Sequence, residues 1–327
     1  MNNIWNKLSK PIYALAPMEG VTDTVFRRVI NYCGRPAVYF TEFTNVDGLA
    51  SIGKKEVEHR LLFEQEEKPL IAQIWGMKPE NYTLAAKQIV EMGFDGIDIN
   101  MGCPEKNVVK RGACAGLIHN PTLAAEIISA TKKGAKDLPI SIKTRIGIKD
   151  IETEDWFSFL FEQELDALTV HLRTVREMSN VPPHWEELLK IVELRNKISP
   201  TTVLLANGDV NTVSEANKII EEYKIDGVMI GRGIFKDPFL FSKTKTLSEL
   251  SFDARMRLLI RHSTLFEEVW GPNKHFEILR KFYKIYTLGL PNAGEIREKL
   301  MQTNNLDEVR TIVDKIPKDS PFRTLSG

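Results

Sequence analysis

The chain has 327 residues, 43% of them hydrophobic, and its 44 Lys and Arg balance 44 Asp and Glu. That apolar content sustains a large core and argues against disorder, while zero formal charge argues against indiscriminate coating of nucleic acid. Cys33, Cys103 and Cys114 are odd in number and contain no CxxC pair, which speaks against a disulfide scaffold or a structural zinc site. No N-terminal apolar run has the length of a signal peptide or a membrane span, so a soluble cytoplasmic protein with no metal and no membrane attachment is expected.

Short apolar runs alternate with helical patterns along the first three-quarters of the chain. Strands are expected at 12–16, 38–43, 70–74, 96–100, 140–144, 167–171, 203–206 and 227–230, each apolar enough to be buried on both faces. Helices are expected at 79–92, 121–133, 153–165, 184–197 and 212–222. Pro79 and Pro121 sit at two of the starts, where a missing N–H costs little. Eight such units fit a closed (β/α)8 TIM barrel; an open doubly wound sheet does not need eight. Around residues 243–250 the alternation stops. Four helical stretches follow, at 253–269, 275–287, 293–303 and 307–315, and 317–327 reads as a frayed tail. The expected division is a barrel over 1–245 and a small all-helical domain over 246–327.

Barrels of this kind build ligand chemistry at the carboxyl ends of their strands. Those positions read Ala16-Pro17-Met18-Glu19-Gly20, Thr41-Glu42-Phe43, Gln73, Asn100 with the Met101-Gly102-Cys103-Pro104 turn, Lys143 and Arg145, His171 and Arg173, Asn207-Gly208-Asp209, and Gly231-Arg232-Gly233. Nearly every strand delivers a polar group to one rim, which a purely structural barrel does not need. The Gly-rich ends of the last two strands, with Arg232, form the usual phosphate corner, where backbone N–H groups and a guanidinium approach an anion. Cys103 stands on a tight turn where an accessible thiol can do proton or covalent chemistry. Cys33 reads as packing. Cys114 reads as packing too, because its neighbours Gly112-Ala113 and Ala115-Gly116 are small.

Six ordered motifs resemble those of the tRNA-dihydrouridine synthases. They are Leu15-Ala16-Pro17-Met18-Glu19-Gly20-Val21-Thr22-Asp23, Asn100-Met101-Gly102-Cys103-Pro104, Lys143-Thr144-Arg145-Ile146-Gly147, Leu168-Thr169-Val170-His171, Ala206-Asn207-Gly208-Asp209 and Val228-Met229-Ile230-Gly231-Arg232-Gly233. The resemblance implies an FMN-bound barrel that reduces uridine in tRNA to dihydrouridine with NADPH as electron donor. It also implies that Pro17, Met18, Glu19, Gln73, Lys143, His171, Asn207, Gly208, Asp209, Gly231 and Arg232 hold FMN, and that Cys103 is the proton donor. Asn100 and Arg145 are the candidates for gripping the uracil. Arg280 and Lys281 are the candidates for contacting the tRNA, on a helical face that also offers Arg255, Arg257, Arg261, Lys274 and Lys284. A monomer is expected. The chain departs from the family pattern after His171, where Leu172-Arg173-Thr174 replaces Gly-Arg-Thr.

An unperturbed thiol has a pKa near 8.5 and is mostly protonated at neutral pH, so Cys103 is expected to serve as an acid without help from its surroundings. Three rival readings share much of the pattern: a flavoenzyme acting on a free pyrimidine, which would not require the helical domain; an RNA-binding protein that retains the barrel as a scaffold; and a phosphosugar-binding barrel enzyme without flavin, against which Cys103 and Gln73 speak.

Overall fold

The computed structural model describes residues 3–316, and the tail expected at 317–327 lies outside them. Nine parallel strands run in chain order: β1 (Ile12–Leu15), β2 (Tyr39–Phe40), β3 (Thr44–Asn45), β4 (Leu70–Trp75), β5 (Gly96–Met101), β6 (Ile140–Arg145), β7 (Ala167–His171), β8 (Val203–Asn207) and β9 (Gly227–Ile230). Their hydrogen-bonded order is β1-β9-β8-β7-β6-β5-β4-β2, with β3 added on β4. A single parallel bridge between Ala14 and Val38 brings β2 back to β1, so the sheet is a nearly closed (β/α)8 barrel. Of the strand expected at 38–43 only Tyr39–Phe40 forms, and a second short strand, Thr44–Asn45, follows beyond it. Between the two, Thr41 Oγ1 accepts the Gln73 N–H at 2.9 Å, a side-chain bond where a longer strand would continue the ladder.

The helices are α1 (Thr24–Cys33), α2 (Pro79–Met92), α3 (Pro121–Ala135), α4 (Thr153–Glu162), α5 (Glu187–Ile198), α6 (Val213–Tyr223), α7 (Phe252–Trp270), α8 (Ala293–Leu300) and α9 (Leu306–Asp314), with shorter turns between them. Pro79 and Pro121 open α2 and α3. Asn120 and Thr212 cap α3 and α6 by accepting the N–H groups of Leu123 and Glu215, which would otherwise be orphaned. The single helix expected at 275–287 is a 3-10 stretch, Phe276–Phe282, followed by one α-helical turn, Tyr283–Thr287. No helix among the described residues is long and apolar enough to cross a membrane.

The chain gathers into two compact units. One holds the residues up to Thr24 and Pro36–Gly231. The other holds Val25–Arg35 and the chain from Arg232 onward, so it begins earlier than residue 246 and includes α1. Aromatic packing explains the assignment of α1. Phe26 stacks on Phe282 with ring centroids 5.0 Å apart and lies 6.0 Å from the His262 ring and 6.2 Å from Phe235.

Inside the barrel the inward positions change character from floor to mouth. Ile12, Ala14 and Ala16 of the β1 segment, Val38, Phe40, Ile71, Ala167, Val203, Leu205 and Met229 form one apolar cluster, which Trp5 of the N-terminal turn Ile4–Asn6 joins. Above it the register places Gln73 beside Asp98 and Asp98 beside Ser141. Asp98 has no solvent exposure, and its oxygens accept from Gln73 Nε2 and Ser141 Oγ, both at 2.6 Å. Burial raises its pKa to about 6, although the two donors and the nearby Lys143 pull the other way.

The sheet closes tightly at β1 and β9. A Cβ built on Gly227 would lie 2.1 Å from the Ile12 carbonyl oxygen, so no larger residue fits without parting the two strands. Gly227→Ala is expected to cost about 1–3 kcal/mol, read as a lowered urea midpoint at unchanged slope. Asp98 gives a second prediction. Its folded pKa lies above its unfolded value, so between about pH 6 and pH 4 the folded state binds the extra proton. Unfolding free energy should therefore rise as pH falls through that window, by up to about 3 kcal/mol relative to Asp98→Asn. Parallel stability–pH curves for the two proteins would refute it.

Candidate active site

The strand register assembles the rim. Asn100 stands beside Lys143, and two residues further along β6 Arg145 stands beside His171 and His171 beside Asn207, so four consecutive strands present polar groups at two adjoining levels of the rim. Asn100 continues the polar chain that starts at Asp98: its Nδ2 donates to Gln73 Oε1 at 3.0 Å. Its Oδ1 accepts the N–H groups of Gly102 at 3.0 Å and Cys103 at 2.9 Å, which folds the chain into the turn that carries the thiol. Arg145 holds the other side of this turn, with Nε donating to Gly102 O at 2.9 Å. Its Nη1 donates to the carbonyls of Thr174 and Met178 and ties in the loop after β7. Asn100 and Arg145, the residues expected to grip a base, thus both have backbone partners that shape the Cys103 turn.

Cys103 is only partly buried, and it is not an unperturbed thiol. The neighbouring Cys114 thiol lowers its pKa to about 6, against the opposing effect of burial. The Glu105 N–H and the charge of Arg145 add to the effect. The expectation of an ordinary thiol is therefore corrected, while Cys114 is buried, as a packing residue is. The two sulfurs line a cavity of about 350 Å³ whose walls also include Glu19, Phe43, Arg60 and Trp75. Glu19 is fixed there by Arg60, whose Nη2 and Nε lie 2.6 and 2.8 Å from Glu19 Oε1. The Phe43 N–H donates to Glu19 Oε2 at 3.2 Å.

The ammonium of Lys143 makes no hydrogen bond or ion pair among the described residues. Burial and the neighbouring Arg145 push its pKa down to about 8, and Asp98 resists the fall. Arg173, fully buried, donates to Val181 O at 2.7 Å, lies 3.2 Å from His171 Nε2 and forms an ion pair with Asp209. Asn207 Nδ2 donates to Met229 O and joins β8 to β9. Gly208 faces Pro183 of the loop after β7: an added Cβ would meet the proline ring at 2.9 Å. That loop is further pinned by His184, 2.9 Å from Glu177 and 3.0 Å from Glu186. Pro17 is buried and Met18 half-buried at the end of β1, and Gly231 and Arg232 follow β9 directly, with the Arg232 side chain exposed.

In the helical unit Arg280 donates to Thr303 O and Asn304 Oδ1, while Lys281 is exposed, with its ammonium 5.1 Å from the centroid of the Phe282 ring. Arg255 does not belong to an exposed basic face. It is buried, donating to the carbonyls of Leu250 and Leu288. Arg257, Arg261 and Lys284 are exposed. Among the described residues no group of three or more His, Cys, Asp or Glu is placed to hold a metal ion.

Three residues of this site were absent from the sequence reading: Arg60, Trp75 and Asp98. Asp98 had a usable signal, since it lies two residues before Asn100 on one strand and so shares its face. Arg60 had none, because it reaches the cavity from a long irregular connection.

A family model described as dihydrouridine synthase (Dus) matches residues 14–320. "Probable tRNA-dihydrouridine synthase" of Staphylococcus aureus (strain COL) is 46% identical over 316 residues, spanning 96% of this chain and 95% of that protein. "Probable tRNA-dihydrouridine synthase 2" of Bacillus subtilis (strain 168) is 44% identical over 315 residues, spanning 95% of this chain and 96% of that one. Among solved structures, a morphinone reductase aligns with a TM-score of 0.50 at 15% identity, over 73% of this chain and 87% of its own. A 2-naphthoyl-CoA reductase aligns with a TM-score of 0.53 at 11% identity, over 71% of this chain and 49% of its own. At such identities the two structures share the barrel fold and no more is drawn from them. The family match and the near full-length relatives decide the rest: the chain belongs to the dihydrouridine synthase family of flavin-dependent oxidoreductases.

Proposed function

We propose that the protein reduces the C5=C6 bond of particular uridines in cytoplasmic tRNA to 5,6-dihydrouridine, with FMN as resident flavin and NADPH as electron donor. The observation that carries the reading is the pairing of an unpartnered Lys143 ammonium at the barrel mouth with a thiol turn on the adjacent strand. A cation half-sunk in the mouth, with its pKa pushed down by burial, suits a ligand that brings negative charge or hydrogen-bond acceptors. The residues present therefore fit a flavin. Lys143, Gln73 and His171 would hold its ring, with Pro17, Met18 and Glu19 at the end of β1. Asn207, Gly208, Asp209, Gly231 and Arg232 would hold its phosphate-bearing chain. Bound and reduced, FMN supplies the hydride that C6 of the uracil accepts.

The chain's own part is to receive the base and to supply the proton. A stacked base cannot reach a barrel mouth, so the nucleotide must be extruded at a cost of roughly a few kcal/mol. The cavity beside Cys103 offers aromatic walls, Phe43 and Trp75, against which a flipped pyrimidine can lie. Negative charge developing toward C5 and O4 then draws the proton from Cys103 Sγ to C5. With its pKa lowered to about 6, Cys103 keeps its proton in only a minority of molecules at neutral pH, so its capacity as an acid grows as pH falls toward 6. Exposed cations of the helical unit, among them Arg257, Arg261, Lys281 and Lys284, together with Arg280, would contact the RNA backbone.

Cys103→Ala should keep FMN bound and NADPH oxidation running, while dihydrouridine formation falls by about 10²–10⁴-fold. Product formation near the wild-type rate would eliminate the acid role. Mapping dihydrouridine along tRNA from cells with and without the gene tests the activity itself, and reduction of free uracil in preference to tRNA would favour a small-molecule enzyme. Plotted against log salt, log affinity for unmodified tRNA should fall with a slope of about −2 or steeper. A slope near zero would exclude phosphate contacts.

A further inference from the structure

Arg173 is a fully buried cation that the reaction described above does not use. It lies two residues past His171 and is held from two sides. Its Nε donates to Val181 O at 2.7 Å, and its two terminal nitrogens face the two carboxylate oxygens of Asp209 in a side-on ion pair. Three anchored nitrogens leave the guanidinium plane one orientation. In that orientation Nη1 also lies 3.2 Å from His171 Nε2, in hydrogen-bonding geometry. A guanidinium offers only N–H donors and no acceptor, so this bond runs one way: Arg173 donates and Nε2 receives. A ring nitrogen that receives carries no hydrogen of its own.

We propose that Arg173, with Asp209 behind it, is a positioning residue for His171: it holds the imidazole in the neutral form whose single N–H is on Nδ1, the donor that the ring brings to the flavin. The proposal rests on the reading of His171 as a residue that holds the flavin. The ring's other states fail for a common reason. A hydrogen on Nε2, alone or together with one on Nδ1, would point at an N–H of Arg173 and leave both donors unmatched, where Arg173 has no water to turn to. An imidazolium would also set a further positive charge against Arg173 and against Arg145, its register neighbour on β6. Charge and direction are thereby divided at the barrel mouth. Lys143 brings the cation, and His171 brings a neutral donor with a fixed heading, which together suit a ring that takes both a charge and a neutral hydrogen bond. Asp209, expected from the resemblance to hold FMN, has the further task of fixing Arg173.

The test is nitrogen NMR of the full-length FMN-loaded protein carrying isotope-labelled histidine, with the His171 signals identified by their loss in His171→Ala. The two ring nitrogens report separately whether each bears hydrogen. Nδ1 should be protonated and Nε2 bare. In Arg173→Met, which keeps bulk and removes the donor, hydrogen should appear on Nε2. FMN should then leave about tenfold faster, read as the rise of free-flavin fluorescence after dilution. Arg173→Lys, which returns an N–H donor, should restore the Nδ1 form in most molecules. A wild-type ring with hydrogen on Nε2, singly or as imidazolium, overturns the proposal whether or not the variants fold. So does an unchanged ring state in Arg173→Met. The ring state is read without tRNA or NADPH, so a failed dihydrouridine assay leaves it standing. A His171 that does not hold the flavin shows itself separately, as release of FMN from His171→Ala at the wild-type rate.

Discussion

The site hangs on one buried acceptor. Asp98 sits inside the barrel with no water, and an anion there tolerates only donors around it. That requirement fixes the sense of everything above it. Gln73 must turn its amide nitrogen toward Asp98, so its oxygen faces Asn100. Asn100 must answer with its own nitrogen, which leaves its oxygen to gather the N–H groups of Gly102 and Cys103. An uncharged or reversed group at 98 would release the constraint at its root, and each amide could then sit either way round.

The same economy of partners explains the crowd of cations at the mouth. Arg173 is neutralised by Asp209, and Arg145 spends its donors on carbonyls of the thiol turn and of the loop after β7. Burial and the charge of Arg173 lower the Arg145 pKa to about 10, so it remains a cation at neutral pH. Lys143 alone of the three has no fixed bond. Burial and the like charge of Arg145 push the Lys143 pKa down to about 8, and Asp98 resists the fall.

Much of this was legible in the chain itself. Runs such as 203–206 and 227–230 are apolar on both faces, which suits a buried parallel sheet, and the polar residues that follow them, Asn207 and Arg232, are ones a packed core would refuse. The limits were equally physical. Whether Arg255 faces solvent or a pair of carbonyls depends on which side of α7 is covered, and its charge gives no hint of that. The place of Cys114 in the wall of the Cys103 cavity belongs to a left-handed residue in an irregular turn, a feature with no periodicity to read. The α1 pattern is amphipathic in the same way whether it covers a barrel or joins a helical bundle, so its place had to come from the partners of Phe26.

The placement of α1 has a practical side. Because Val25–Arg35 belongs with the chain from Arg232 onward, the backbone passes from one unit to the other at three separate joints. The helical unit is therefore not a contiguous gene segment. A fragment cut after the barrel would leave behind the helix that carries Phe26 and strip Phe282 of its stacked neighbour. Chimeras that exchange the helical unit between relatives would have to transplant both stretches together.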